Sequence, residues 1–201
     1  MLQIAYTMHR GKVCRQQQDC ILVDGAIHQV PVLPITASTL AADEVLLAVA
    51  DGVAASGGDR RIAPQQASRI VLEELAKAVR ERPEWLREGF VANRHVRLVQ
   101  ARLSDKLADN PKTYGAASTI VVAHVRGHRA AILYMGDSRV YQVNQEGQWR
   151  RLSKDHTVLQ DLIDRGEVSP DTEYASLYGM LAQVLCAGQE RKAISLFIGF
   201  G

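Results

Sequence analysis

The apolar run Val45-Leu-Leu-Ala-Val-Ala50, closed at once by Asp51-Gly52, constrains this chain more than any other feature. A short continuous apolar run of this kind reads as a buried strand. A second step of the same type follows later, where Ala130-Ala-Ile-Leu-Tyr-Met135 runs into Gly136-Asp137-Ser138-Arg139. Each places a carboxylate at or near a strand end, where a rigid sheet can aim it at a shared cleft. An exposed turn would not need so long an apolar lead-in.

The flanking pattern sets the fold class. Leu2 to Thr7 reads as a short strand. Cys20 to Val23, Asp24-Gly25 and Ala26-Ile27 read as a tight hairpin, since Asp-Gly suits a type I′ turn. Pro31 and Pro34 mark a loop or an irregular edge strand. A loop of small residues (Ala54-Ala55-Ser56-Gly57-Gly58) leads to Pro64, which suits a first helical turn. Ile70, Val71, Leu75, Ala78 and Val79 recur at helical spacing up to about Arg80, and Pro83 breaks the run. A second long helix is predicted from Trp85 to Ala108, with Val96, Val99, Leu103 and Leu107 on one face and Asn110-Pro111 beyond its end.

Strands are predicted next over Ser118–Val125, Arg129–Met135, Arg139–Val143 and Trp149–Leu152, with turns at Arg126-Gly127-His128 and Gly147. Thr157 to Arg165 reads as a helix with Gly166 at C′. Strands, two long helices and then consecutive antiparallel strands, without regular βαβ alternation, make an α+β fold. With 201 residues and no linker or repeat, residues 1–201 are expected to form one domain.

Composition narrows the function classes. A net charge of +2 with no basic run gives no reason to expect a nucleic-acid or membrane-surface partner. No apolar stretch approaches the roughly 20 residues that span a bilayer. The first residues, Met1-Leu-Gln-Ile-Ala-Tyr6, lack the charged and apolar regions of a signal peptide. Cys14, Cys20 and Cys186 are odd in number and lack CxxC spacing, which fits a reducing cytoplasm.

Three segments carry candidate chemistry. Asp51-Gly52 alone reads as a turn, as Asp24-Gly25 does. The long apolar lead-in and the small-residue loop after it favour a ligand site, where glycine lets backbone approach and its carbonyl can ligate a hard cation. Gly136-Asp137-Ser138-Arg139 reads either as a bulge or surface charge pair, or as an acid re-aimed into a cleft. Gly11 to Asp19 is a polar loop ending in an acid. Asp19, Asp51 and Asp137 together point to a hard-cation site acting on phosphate. Asp155 or Thr157 is expected to cap the helix that follows Lys154. The histidines have no ligand-like spacing for zinc.

Taken in order, these segments resemble the metal-dependent protein serine/threonine phosphatases, the PP2C or PPM family. The resemblance lies in Gly11 to Asp19, Asp51-Gly52-Val53, Ala67-Ser68, Gly115-Ala-Ala-Ser-Thr119, Gly136-Asp-Ser-Arg139 and Asp155-His156, and covers about Gly11 to Glu167. It implies two stacked antiparallel β-sheets flanked by helices, an α-β-β-α sandwich. It also implies two Mn²⁺ or Mg²⁺ ions in a cleft at one end, with phosphoproteins as substrates. Asp51 would bridge the metals, the Gly52 carbonyl would ligate one, and Asp19 would act directly or through water. Asp137 would hold metal-bound water or a weaker third ion. Hydrolysis would proceed by in-line attack of metal-activated water.

Departures from the family pattern sharpen the expectation. Cys14 stands where the family has its phosphate-binding Arg; Arg15 is adjacent, but a one-residue shift on an extended segment faces it the other way. Gln17 replaces Asn, Val53 replaces His or Met, and Ala54-Ala55 replace Gly-Gly. The family's later Gly-Asp, Ser-Asp-Gly and Asp-Asn segments have no counterpart before Leu196-Phe-Ile-Gly-Phe-Gly201, so the catalytic domain is expected to be C-terminally incomplete. Three readings follow: a protein serine/threonine phosphatase, a non-catalytic relative that binds a phosphoprotein or a regulator, and an unrelated α+β binding domain whose Asp-Gly steps are turns. Oligomeric state is left open.

Overall fold

Strand β5 (Glu44–Val53) organises the molecule because three other strands pair with it. The computed structural model describes residues 1–53, 59, 61–83, 94–171, 179–188 and 198–199. On one edge of β5, β2 (Asp19–Val23) runs antiparallel, from Asp19↔Asp51 to Val23↔Leu47. On the other edge lie β6 (Ala117–Ser118) and β7 (Ile120–Arg126), in one continuous register from Gly52↔Ser118 to Glu44↔Arg126. The Asp51-Gly52 step is therefore inside a paired strand and not a turn.

The hairpin expected around Asp24-Gly25 joins β2 to β3 (Ala26–His28). Asp24 and Gly25 have φ of 46° and 84°, the left-handed values a type I′ turn requires at both positions. β8 (Arg129–Met135) pairs with β7 across the Gly127 turn, and β12 (Ile198–Gly199) pairs with β8. β11 (Leu185–Cys186) extends the sheet beside β6. β1 (Leu2–His9) and β4 (Val32–Leu40) form a separate two-stranded sheet. Its register slips between Tyr6 and Met8, opposite the segment holding Pro34, so the residue without an N–H sits at an irregularity of an edge strand, as expected. β9 (Tyr141–Val143) and β10 (Trp149–Arg151) make an exposed hairpin. Both are shorter than the sequence pattern predicts.

Helix α1 (Ala63–Glu81) begins with Pro64 in its first turn and ends just before Pro83. Helix α2 covers Arg94–Leu107; the earlier part of the predicted helix, like the 54–58 loop, lies outside the described residues. A short helix α3 (Val158–Asp164) is capped by Thr157, whose hydroxyl accepts from the Gln160 amide, and Gly166 follows with φ of 72°. Of the two capping candidates, Thr157 is the one used.

The main core lies between α1, α2 and one face of the large sheet. It packs Val71, Leu72 and Leu75 with Val96, Val99 and Leu103, against Cys20, Leu22, Ala48, Ala50, Val122 and Leu133. Lys106 of α2 reaches the nearly buried Glu74 of α1 at 2.9 Å and fixes the two helices side by side. Leu103 is fully buried, so Leu103→Ala should cost about 2–5 kcal/mol, read from the urea midpoint. The opposite face carries a second cluster of Val121, Ile132 and Tyr134, under Val140 and Leu152. The antiparallel sheets and helices make the α+β fold expected from the sequence. No described helix is long and apolar enough to cross a membrane.

Candidate metal centre

Strand alternation decides where the acids point. In β5, Ala48 and Ala50 face the helices, so Asp51 faces the other way, with Val49. In β2, Cys20 and Leu22 face the helices, so Asp19 shares the face of Ile21. Because Asp19 and Asp51 are directly paired, their carboxyl groups stand side by side at one end of the sheet. Asp19 and Asp137 both lie near enough for their charges to act on Asp51. Burial first, then Asp19, then Asp137, push the Asp51 carboxyl up to about 7. Two neighbouring carboxylates need either a shared proton or a cation between them. That donor set, hard oxygen ligands under mutual repulsion, fits Mg²⁺ or Mn²⁺. Among the described residues, no His, Cys, Asp or Glu side chains meet in a cluster of three or more, so much of the coordination would fall to backbone oxygen and water.

Gly52 points at the helix face, where α1 starts. A Cβ built there would lie 2.1 Å from the Pro64 carbonyl oxygen and 2.8 Å from that of Gln18. The absence of a side chain is what lets β2, β5 and the start of α1 meet beside Asp51. The Gln18 carbonyl joins the same three elements, accepting from the Gly52 amide at 3.1 Å and from the buried Ser68 hydroxyl at 2.5 Å. Gln29 in turn donates to Ser68 at 3.1 Å. Gln17, also buried, accepts the Asp19 amide through Oε1 at 3.2 Å. The peptide that leads into Asp19 is thus held at both its carbonyl and its amide.

Asp137 sits on a clamped loop. The Gly136 amide donates to His156 Nδ1 at 3.2 Å, and the His156 amide donates back to the Gly136 carbonyl at 2.9 Å. The His156 ring stacks on Tyr134, with centroids 5.3 Å apart and 14° between planes. Burial lowers the His156 pKa, which keeps Nδ1 free to accept. Arg139 binds Asp155 through Nε at 3.1 and 3.2 Å and Nη2 at 2.6 Å, and Arg151 binds the same carboxylate. The Arg of Gly-Asp-Ser-Arg is therefore engaged in holding its own loop.

Of the residues singled out from the sequence, Asp19, Asp51 and Gly52 meet at this end of the sheet, and the charge of Asp137 reaches Asp51 without the three acids forming one cluster. Arg15 does not join them: it is exposed, its carbonyl accepts from Arg10 Nη1 at 2.7 Å, and its guanidinium forms no ion pair among the described residues. Cys14 is half-buried, with Sγ 3.8 Å from Gln18 Oε1. Sequence reasoning gave no role to Thr119, Gln17 or Ser68, although Ser68 and Thr119 lie in segments that carried the resemblance.

The sequence and the fold both resemble those of known proteins. A sequence profile described as protein phosphatase 2C matches residues 35–176. The serine/threonine protein phosphatase PstP of Mycobacterium tuberculosis is 28% identical over 147 residues, covering 72% of this chain. That match spans 27% of the length of the mycobacterial protein. Among solved structures, the S. agalactiae serine/threonine phosphatase superposes with a TM-score of 0.73 at 18% identity, covering 99% of this chain and 74% of its own. The catalytic domain of PstP in complex with two manganese ions superposes with a TM-score of 0.66 at 22% identity, covering 99% and 71%. These structures share the fold of this chain.

Proposed function

We propose that this chain, which belongs to the protein phosphatase 2C family, hydrolyses phosphoserine and phosphothreonine in proteins with the help of two Mn²⁺ or Mg²⁺ ions. The observation that carries the proposal is the Asp19–Asp51 pair, two carboxylates directly opposite each other on adjacent strands, with Asp137 nearby. The manganese reported for the PstP catalytic domain supports the choice of ion.

Asp51, Asp19 and the Gly52 carbonyl are assigned as the groups that would hold the ions, with Asp51 the central one, and Asp137 as the group that would hold water beside them or a weaker third ion. Bound there, the ions supply a hydroxide near neutral pH and neutralise charge on the phosphoryl group. The chain supplies rigidity: Gln18, Ser68 and Gln17 fix the Asp19 backbone, and the ladder fixes Asp51. Arg15 lies exposed beside Cys14, apart from the acids, and its guanidinium forms no ion pair among the described residues; it is assigned to a substrate phosphate approaching from solvent. Residues 1–201 are assigned to one phosphatase domain. We place the protein in the cytoplasm, which the free thiols of Cys14, Cys20 and Cys186 support.

The test is release of phosphate from a phosphothreonine peptide by the 201-residue chain. Turnover that is lost on chelation and restored by Mn²⁺ is the expected result. A folded chain that releases no phosphate with Mn²⁺ or Mg²⁺ present would overturn the proposal.

A further inference from the structure

Directly opposite Asp51 the main-chain ladder is altered by one side chain. The Thr119 amide donates to the Asp51 carbonyl at 2.9 Å, as a ladder requires. The Asp51 amide, however, donates to the Thr119 hydroxyl at 3.0 Å. The Thr119 carbonyl accepts instead from the Ser118 hydroxyl at 2.8 Å, which also reaches the Asp51 carbonyl at 3.1 Å. Thr119 Oγ1 is in addition 2.8 Å from Ser138 Oγ, next to Asp137. Its methyl group fills the space beside Gly136, where an added Cβ would lie 2.5 Å from Thr119 Cγ2.

We propose that Thr119 is a positioning residue that ties the Asp51 and Asp137 backbones into one unit, and that its hydroxyl thereby sets the affinity of the site for a divalent cation. The inference rests on the reading of Asp19 and Asp51 as cation ligands. Thr119 is fully buried, so no solvent replaces its hydroxyl if that group is lost. A carboxylate ligand binds well only if its backbone is held before the ion arrives, and losing a group that orients a ligand typically costs 10–100-fold in affinity. Only a side chain with both a hydroxyl and a methyl makes all these contacts. Serine keeps the hydrogen bonds and loses the methyl; valine does the reverse.

The experiment titrates Mn²⁺ into the wild-type chain, Thr119→Val, Thr119→Ser and Ser138→Ala, following the electron paramagnetic resonance signal of free Mn²⁺. Thermal melts of the metal-free proteins run in parallel. Thr119→Val is expected to bind Mn²⁺ about tenfold or more weakly. Thr119→Ser should restore affinity to within about threefold of wild type, even where its melt is lower. Wild-type affinity in Thr119→Val would overturn the proposal, whatever its melt. If Thr119→Val does not fold, Ser138→Ala decides: weaker binding supports the coupling, and unchanged binding overturns it. A wild-type chain that neither binds Mn²⁺ nor releases phosphate overturns the proposed function and this inference together. Wild-type binding with indifferent variants overturns this inference alone.

Discussion

Asp51→Ala is expected to abolish cation-dependent phosphate release, with a loss of about 10³-fold or more. Asp51 is the acid that stands opposite Asp19 and feels the charges of both Asp19 and Asp137, so no neighbour can take its place. Asp51→Asn separates the site from the fold. It keeps the shape of the side chain and removes a charge that stands beside that of Asp19, so the metal-free variant should melt roughly 3 °C higher than wild type near pH 8. Adding Mn²⁺ should then raise the melt of the wild type and leave the variant unmoved. Calorimetry with and without the ion checks both halves. Activity in the alanine variant, or a metal-free asparagine variant that melts lower, would remove Asp51 from the centre of the site.

Gly52→Ala should be the most damaging glycine-to-alanine change among the described residues. The added carbon would meet the Pro64 carbonyl at 2.1 Å, its carbon at 2.5 Å and the Gln18 carbonyl at 2.8 Å. All three are backbone atoms, fixed by β2, β5 and the start of α1, so no flexible side chain can yield. A cost of about 3 kcal/mol or more is expected, above the usual range for overpacking. Gly179→Ala is the control, because nothing lies within 4 Å of its added carbon. Urea unfolding of the two variants without metal should separate them clearly; near-equal midpoints would show that the strand and helix can part without penalty.

The sequence made some of this legible and hid the rest for physical reasons. The apolar lead-in to Asp51 and the Asp24-Gly25 turn are local signals, set by residue type within a few positions, and both elements form where expected. The helix faces were legible because Val71, Leu75, Val99 and Leu103 repeat at the helical period. The pairing of Asp19 with Asp51 follows from strand partners, which no periodicity reveals. The pairing of β1 with β4 is hidden for the same reason. Thr119 was opaque because a threonine in a strand is ordinary. Its importance comes from standing opposite Asp51 in register and beside Ser138 in space. Asp155 or Thr157 read as the helix cap; Thr157 takes that place, and Asp155 instead meets two arginines, from β10 and the Asp137 loop.

The hydrogen bonds that build the cleft join remote parts of the chain. Asp51 and Thr119 are 68 residues apart, Gln18 and Ser68 are 50 apart, and Gly136 and His156 are 20 apart. Closing such loops loses chain entropy before any contact rewards it, whereas α1 and the Asp24-Gly25 hairpin need only neighbours. The chain should therefore acquire its chemistry last. In pulse-labelled refolding, the amides of α1 should gain protection before those of Asp51 and Thr119, and protection in the reverse order would contradict this. A half-folded molecule would carry helices and hairpins yet have no grip on a cation, so it could not act on phosphoproteins before it was finished.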